Sequence, residues 1–218
     1  MSAKLRISRS HYPVHALGPG ERLAVWVQGC TLSCKGCMSR DTWPADGGVE
    51  VPIAELAALW RSAVDRGAEG LTVSGGEPLQ QAEGLAAFLT AADEVRRDAG
   101  RELDFLLYTG YDEGELDEAR WAAAGQADVV VFGRFDITEP TELVWRGSAN
   151  QRMVPRTELG RRRYAGFIDH APAEGPLQLE MRDGDPWIIG TPRPGVLRYL
   201  DRSLKGLGLQ VTDVTWRP

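Results

Sequence analysis

The stretch "GLTVSGGEPLQQAEGLAAFLTAADEVRRDAG" (residues 70–100) contains the repeating unit from which the fold can be predicted. It opens with a short apolar run, residues 70–75, which is rich in β-branched side chains and ends in glycine, as buried strands do. Residues 78–100 then follow a helical pattern that stops at Gly100. The stretch therefore predicts a strand, a turn that contains two glycines, and a helix.

The same unit recurs on both sides of this stretch. Three more apolar runs are LAVWVQ (23–28), DFLLYTG (104–110) and ADVVVFG (127–133), and helical patterns cover residues 51–67 and 112–125. Strands that alternate with helices indicate βαβ units and a parallel sheet. Strands of parallel sheets are buried on both faces and consist of continuous apolar runs, as these do. We therefore predict an α/β fold.

The pattern changes after about residue 150. Residues 177–190 are typical of two strands around an Asp-Gly turn, and residues 194–208 of a helix that glycine ends. Residues 209–216 predict a last strand. We divide the chain into a core, residues 1–155, and a small α+β extension, residues 156–218, made of a strand pair and a helix.

Composition limits the classes of function. The chain has 218 residues, 43% of them hydrophobic, and a net charge of −6. A nucleic-acid binder usually has a basic excess, so nucleic acid is not an expected partner. The N-terminus lacks the apolar segment of a secretory signal, and no run approaches the ~18 apolar residues of a membrane helix. We expect a cytoplasmic protein with no membrane partner.

All three cysteines lie within eight positions, as Cys30, Cys34 and Cys37, in the spacing C-x3-C-x2-C. An odd number of thiols cannot be fully paired in disulfides, and closely spaced cysteines in a cytosolic chain indicate metal binding or catalysis. Thiolates are the ligands of iron–sulfur clusters, and three of them leave one iron of a four-iron cluster open for a small molecule. A zinc site completed by His11, His15 or His170, or buried structural cysteines, are the alternatives.

Polar and glycine-rich loops follow each of the four predicted strands, where ligands bind in parallel sheets. These loops cover residues 28–37, 74–78, 109–111 and 133–134. Taken alone, the Gly-Gly turn at residues 75–76 is no more than a turn, and the Gly-Lys-Ser/Thr of a Walker phosphate loop is missing. Its position beside the cysteine loop makes it a candidate binding element.

Together, the C-x3-C-x2-C motif and the Ser-Gly-Gly-Glu-Pro at residues 74–78 resemble those of the radical S-adenosylmethionine superfamily. Residues 12–43, 107–116 and 129–151 resemble the anaerobic ribonucleotide reductase activating enzymes within it. The Trp-Arg-Gly-Ser-x-Asn-Gln of residues 145–151 is the most specific part. The resemblance implies a partial parallel β/α barrel that binds a [4Fe-4S] cluster and S-adenosyl-L-methionine.

The resemblance also implies the site residues. Cys30, Cys34 and Cys37 would ligate the cluster. The expected cofactor-binding residues are Gly36 and Met38 on the adenine side, Gly75, Gly76 and Glu77 at the amino group, Thr109 and Gly110 near the ribose or carboxylate, and Arg134 as a candidate for the carboxylate. No further catalytic side chain is expected beyond the cluster and the cofactor.

Some positions depart from the family pattern. Many relatives have an aromatic residue at the position of Gly36 and tyrosine at that of Met38. They have Asp-Gly-Lys where this chain has Phe132, Gly133 and Arg134, and arginine keeps the charge but changes the donor geometry. In the extension, the basic run at residues 161–163 is either a solvated charge run or a dock for an acidic partner.

By this resemblance the protein is predicted to be a radical S-adenosylmethionine oxidoreductase. It would take an electron from flavodoxin or ferredoxin and cleave the cofactor to a 5′-deoxyadenosyl radical. It would then generate a glycyl radical on a partner, an anaerobic ribonucleoside-triphosphate reductase. Two alternatives stay open: a radical S-adenosylmethionine enzyme acting on a peptide or small metabolite, and a non-enzymatic iron–sulfur or zinc protein.

Overall fold

The computed structural model describes residues 3–182, 185–193, 195–206 and 208. Seven strands form one mixed sheet: β1 (Lys4–Val14), β2 (Arg22–Val27), β3 (Val49–Pro52), β4 (Gly70–Gly75), β5 (Asp104–Tyr108), β6 (Val129–Phe132) and β7 (Arg152–Pro155). Their order is β3-β1-β2-β4-β5-β6-β7. A separate antiparallel hairpin has strands β8 (Leu177–Arg182) and β9 (Asp185–Gly190). The helices are α1 (Ile53–Asp65), α2 (Ala82–Ala99), α3 (Glu118–Ala124), α4 (Glu158–Tyr164) and α5 (Val196–Gly206).

The four predicted strands form the parallel centre of the sheet. Strands β2, β4, β5 and β6 are parallel neighbours in that order, and β2 and β6 are buried along their whole length. This confirms the α/β class. The outer strands β1, β3 and β7 pair antiparallel, and none of them was predicted. The curvature of a partial barrel stays a prediction.

Helices α1, α2 and α3 cover one face of the sheet, although α3 begins at Glu118 rather than at residue 112, after a separate 3-10 helix at Glu113–Glu115. They share one apolar cluster with the sheet, at whose centre Trp60 donates a 3.2 Å hydrogen bond to the carbonyl of Ala92. Residues 78–81, predicted as the start of a helix, form a separate short 3-10 helix ahead of α2. As predicted, α2 ends at Gly100, which is left-handed with φ 63°.

The other face of the sheet is covered in part by residues that follow β7. Tyr164 of α4 is fully buried against Leu106, Val129 and Val131. Ile189 of β9 is buried against another apolar cluster on the β1–β2 side of that face. A strand pair and α5 stand where a strand pair and a helix were predicted, whereas α4 was not foreseen. The predicted strand at residues 209–216 lies outside the described residues, and the division at residue 155 stays a prediction.

A buried polar network joins α4 to the amino ends of the strands. Arg22, at the start of β2, pairs with Asp104, at the start of β5, with Nη2 and Oδ2 2.7 Å apart and both side chains fully buried. Burial raises the pKa of Tyr164 well above its usual value, so its hydroxyl stays protonated and donates a 2.5 Å hydrogen bond to Asp104. The network fixes α4 at the end of the sheet away from the predicted site.

Candidate active site

The loops that follow the four parallel strands line one cavity of about 1050 Å³. Ten of the eleven predicted site residues line it: Cys30, Cys34, Gly36, Cys37, Met38, Gly75, Gly76, Glu77, Thr109 and Gly110. The structure therefore brings the cysteine loop and the loops after β4 and β5 together at the carboxyl edge of the sheet, where ligands bind in parallel sheets.

The cysteine loop turns tightly between β2 and a short 3-10 helix at Arg40–Thr42. Gly29 and Gly36 have φ angles of 97° and 79°, in the left-handed region that glycine adopts without strain. A Cβ at Gly36 would lie 2.5 Å from Cδ1 of Ile137, so a larger residue would need this side chain to move. The three cysteines are half-buried and free of disulfides.

Burial raises the pKa of Cys30 and Cys34 above the usual value of a thiol. Ligation to iron removes the proton regardless, because a coordinating thiol is deprotonated. Across the described part of the chain, no three His, Cys, Asp or Glu side chains converge closely enough to hold one metal ion. The three thiols, half-buried on one wall of a wide cavity, fit a cluster in which each thiolate ligates a different iron.

The zinc alternative requires a histidine beside the cysteines. His11 lies 3.5 Å from Glu180 through Nε2 and packs edge-on against Trp187, and His170 packs against Phe167. Neither they nor His15 is among the residues that line the cavity. The structure does not bring a histidine to the cysteine loop.

The Gly-Gly turn after β4 contacts the cysteine loop directly. The amide of Glu77 donates a 2.9 Å hydrogen bond to the carbonyl of Gly29, and the amide of Gly76 donates one of 2.8 Å to Val27. A Cβ at Gly76 would lie 2.3 Å from the carbonyl oxygen of Gly29. Only glycine allows the two backbones to approach this closely.

The side chain of Glu77 is directed into the protein and is 1% exposed. Its carboxylate accepts hydrogen bonds from the amide of Leu79 (2.9 Å), the hydroxyl of Thr109 (2.8 Å) and the amide of Gly110 (2.7 Å). Burial raises its pKa although these donors favour the charged form. Glu77 thus fixes the loop after β5 to the loop after β4.

Arg134 is the predicted site residue that does not line the cavity. Its guanidinium forms a bidentate pair with Glu115, at 2.6 and 2.8 Å, which lowers the pKa of this carboxyl to about 2. Its backbone carbonyl accepts a 2.8 Å hydrogen bond from Nδ2 of Asn150.

The family-specific stretch at residues 145–151 is joined to the loop after β6. Gln151 donates a 2.9 Å hydrogen bond to the carbonyl of Gly133 and accepts one of 2.7 Å from the amide of Gly147. The amide side chains of Asn150 and Gln151 thus donate to backbone carbonyls of the loop after β6 and hold that loop in place.

Arg146 was not predicted, although the sequence marked the stretch that contains it. It lines the cavity, is 7% exposed and donates through Nη2 to the carbonyl of Ile168. Its Nε has no hydrogen-bond partner among the described residues. Desolvation lowers its pKa while Asp169 raises it, and guanidinium remains charged in proteins. An arginine inside a family-specific stretch is the signal that could have identified it.

Comparisons with known proteins show the family of the chain. Residues 16–154 match the family model described as "4Fe-4S single cluster domain". An anaerobic ribonucleoside-triphosphate reductase-activating protein from Vibrio cholerae is 37% identical over 148 residues, which are 65% of this chain and 92% of the relative. Proteins of the same name from Escherichia coli K12 and Enterobacteria phage T4 are 32% and 30% identical, over 65% of this chain and 93% and 88% of theirs.

The helices in the described part of the chain give no sign of a membrane span. None of them is both long and apolar enough to cross a bilayer.

Proposed function

The chain belongs to the 4Fe-4S single cluster domain family and to the family of the anaerobic ribonucleoside-triphosphate reductase-activating proteins, and from this we propose that it is a radical S-adenosylmethionine enzyme. The proposed reaction is reductive cleavage of S-adenosyl-L-methionine, followed by generation of a glycyl radical on a partner enzyme. The names of its relatives point to an anaerobic ribonucleoside-triphosphate reductase as that partner.

One observation carries the proposal: the three-cysteine loop is hydrogen-bonded to the Gly-Gly turn at the edge of one cavity. A reduced cluster, with an electron from flavodoxin or ferredoxin, would supply the electron that cleaves the sulfonium to a 5′-deoxyadenosyl radical and methionine. Cys30, Cys34 and Cys37 would hold the cluster. A bare metal carrier has no use for the ordered loops after β4 and β5 beside its cysteines.

The residues around the cysteines would hold the cofactor. Gly75 and Gly76 line the cavity, and we assign the amino group of the cofactor to this turn. Glu77 supports the turn from behind through Thr109 and Gly110, which lie at the end of β5. Gly36 and Met38 line the cavity on the cysteine side, where we place the adenine.

The carboxylate of the cofactor has two candidate partners. Arg134 is held by Glu115 outside the cavity lining, so it would have to exchange that carboxylate for the ligand. Arg146 already lines the cavity with an unpartnered Nε. Its single carbonyl partner leaves donors of the guanidinium for an anion.

A second candidate function is radical modification of a peptide or small metabolite. The observation that favours it is a part of the cavity wall, formed by residues 187–193, 195, 197 and 198, that lies beyond the region matched by the family model. A different wall would suit a substrate other than that of the relatives.

The test starts with anaerobic reconstitution with iron and sulfide. We expect about four irons per chain, and 5′-deoxyadenosine on addition of dithionite and S-adenosyl-L-methionine. Cys34→Ala should lose both the cluster and the formation of 5′-deoxyadenosine. Ser62→Ala, on the exposed face of α1, should retain the cluster and the activity. Stoichiometric zinc, or no cleavage by a loaded cluster, would refute the radical reaction. When an anaerobic ribonucleoside-triphosphate reductase is added as the partner, a glycine-centred electron spin resonance doublet supports the first candidate, and cofactor cleavage without the doublet supports the second.

A further inference from the structure

Part of the cavity wall comes from residues that follow the family core. Trp187, Ile189, Arg193, Leu197 and Arg198 line the same cavity as the cysteines. The family match ends at residue 154, and the aligned region covers 92% of the Vibrio cholerae relative. This chain therefore builds a wall of its site from residues outside the part that it shares with those relatives.

The wall is firmly attached to the sheet. Trp187 packs against Trp26, with ring centroids 4.9 Å apart, and Ile189 is 2% exposed. Gln178 of β8 donates a 2.8 Å hydrogen bond to the carbonyl of Pro13 and accepts one of 2.9 Å from the amide of His15. These contacts hold the hairpin against β1 and β2. The end of β9, residues 187–190, is thereby held in the wall of the cavity.

The charges on this wall are positive. Arg193 and Arg198 line the cavity from the wall, and the described wall residues contribute no carboxylate to it. Arg193 donates to the carbonyls of Ala173 and Pro172, but its Nε is buried without a partner, as is that of Arg146. Arg198 is exposed at the start of α5.

The acidic residues of the cavity lining are already engaged within the protein. Asp41 pairs with Arg9, Asp136 accepts hydrogen bonds from Thr138, and Glu77 is bound as described above. Within the described part of the chain, the hydrogen-bond partners of Arg193 are backbone carbonyls, and a bidentate carboxylate is the best partner of a guanidinium. The cavity is therefore built to receive an anionic group.

We propose that the wall formed by residues 187–193, 195, 197 and 198 binds an acidic segment of the polypeptide substrate, next to the residue that loses its hydrogen. This rests on the proposed function. The residues that we assign to the cofactor all lie within the matched region, whereas the wall lies outside it. Trp187 and Leu197 supply apolar contact for the chain between its charges.

The test measures peptide binding to the reconstituted holoprotein with S-adenosyl-L-methionine, by fluorescence anisotropy. The probes are two labelled nonapeptides with a central glycine, one flanked by aspartates and the other by asparagines. We expect at least ten-fold tighter binding of the acidic peptide, with an affinity that falls as salt rises. Equal affinities for the two peptides would overturn the proposal. So would displacement of the acidic peptide by equimolar ATP, since the site would then take small phosphate anions.

Arg198→Glu should remove most of the preference for the acidic peptide, and Arg202→Glu is its matched control. Both arginines are exposed on α5, one turn apart, but Arg202 does not line the cavity. Equal effects of the two variants would contradict the assignment. Arg193→Gln tests the buried guanidinium of Arg193, and circular dichroism establishes whether this variant folds. If it does not fold, the proposal is decided by Arg198→Glu alone.

Cleavage of S-adenosyl-L-methionine without a peptide separates this inference from the proposed function. Wild-type protein and Arg202→Glu should both produce 5′-deoxyadenosine with dithionite. If the wild-type protein cleaves no cofactor, the proposed function fails. If it cleaves the cofactor but has no preference for the acidic peptide, only the further inference fails.

Discussion

The hydroxyl of Thr109 donates a 2.8 Å hydrogen bond to Oε1 of Glu77, thirty-two positions before it in the chain. The backbone amide of Glu77 in turn donates to the carbonyl of Gly29. One residue therefore joins the loops after β2, β4 and β5. The position of the Gly-Gly turn relative to the cysteines depends on these bonds.

The first prediction concerns Glu77→Gln. An amide has one acceptor oxygen, whereas three donors converge on the carboxylate, so its NH2 group would face a donor. We expect the free energy of unfolding to fall by about 1–3 kcal/mol, because buried polar groups are left unsatisfied. We also expect at least ten-fold weaker binding of S-adenosyl-L-methionine. Calorimetric titration of the reconstituted protein measures the affinity. Glu83→Gln, at an exposed position of α2, is the control, and wild-type affinity in Glu77→Gln would refute the positioning role.

The second prediction concerns Gly76→Ala. The added Cβ would lie 2.3 Å from the carbonyl oxygen of Gly29, so the Gly-Gly turn and the cysteine loop must separate. We expect reduced iron content after reconstitution and at least a ten-fold lower rate of 5′-deoxyadenosine formation. Gly114→Ala, whose Cβ would meet nothing within 4 Å, should leave both unchanged. An active Gly76→Ala protein would show that the close approach is unnecessary.

The third prediction tests the network at the amino ends of the strands. Asp104→Ala leaves Arg22 charged and fully buried without its partner, so we expect a loss of about 3–5 kcal/mol in the free energy of unfolding. Tyr164→Phe removes one hydrogen bond to the carboxylate of Asp104, and we expect the free energy of unfolding to fall by about 2 kcal/mol. Urea denaturation measures both, with Tyr199→Phe, at a 68% exposed position, as control. If Tyr164→Phe is as stable as wild type, this bond does not fix α4.

The fourth prediction concerns the pair of Arg134 and Glu115. The pKa of Glu115 is about 2, chiefly because Arg134 binds its carboxylate. In Arg134→Met it should rise toward its ordinary value of 4.5, stopping short because the amide of Asp112 still donates to Glu115. Since the folded-state pKa is lowered, the pair stabilises the fold above about pH 4.5, and this is lost as the pH falls toward 2.

Carbon-13 NMR titration of the carboxyl groups measures this shift. The control is Arg152→Met, because Arg152 pairs with the neighbouring Glu113 at 3.7 Å and should leave the pKa of Glu115 at about 2. If Arg134 binds the cofactor, Arg134→Met also weakens S-adenosyl-L-methionine binding. If Arg146 binds it instead, the NMR shift appears without a change in affinity.

Features that depend on local pattern could be predicted from the sequence. The apolar runs predict both ends of each of the four central strands to within two residues, because a parallel strand buried on both faces must be apolar throughout. The site residues came together because the loops after parallel strands lie at one edge. The loops that the sequence predicts to converge line one cavity, and the roles of their residues stay predictions.

Features that depend on distant contacts could not be predicted. β1 contains serines, arginines and a proline, and only its pairing with β2 and β3 makes it a strand. The basic helix α4 depends on Tyr164 reaching Asp104, sixty positions away. Likewise, nothing in the sequence shows that Glu115 forms an ion pair with Arg134, or that Arg146 lines the cavity.

Both margins of the main sheet end in strands of four residues, Val49–Pro52 and Arg152–Pro155. Each includes a proline, which has no amide hydrogen to offer a neighbouring molecule. Short margins with missing donors discourage strand addition by a second chain, a common route to aggregation. The apoprotein should therefore tolerate the high concentrations and long incubations of cluster loading without forming intermolecular sheets.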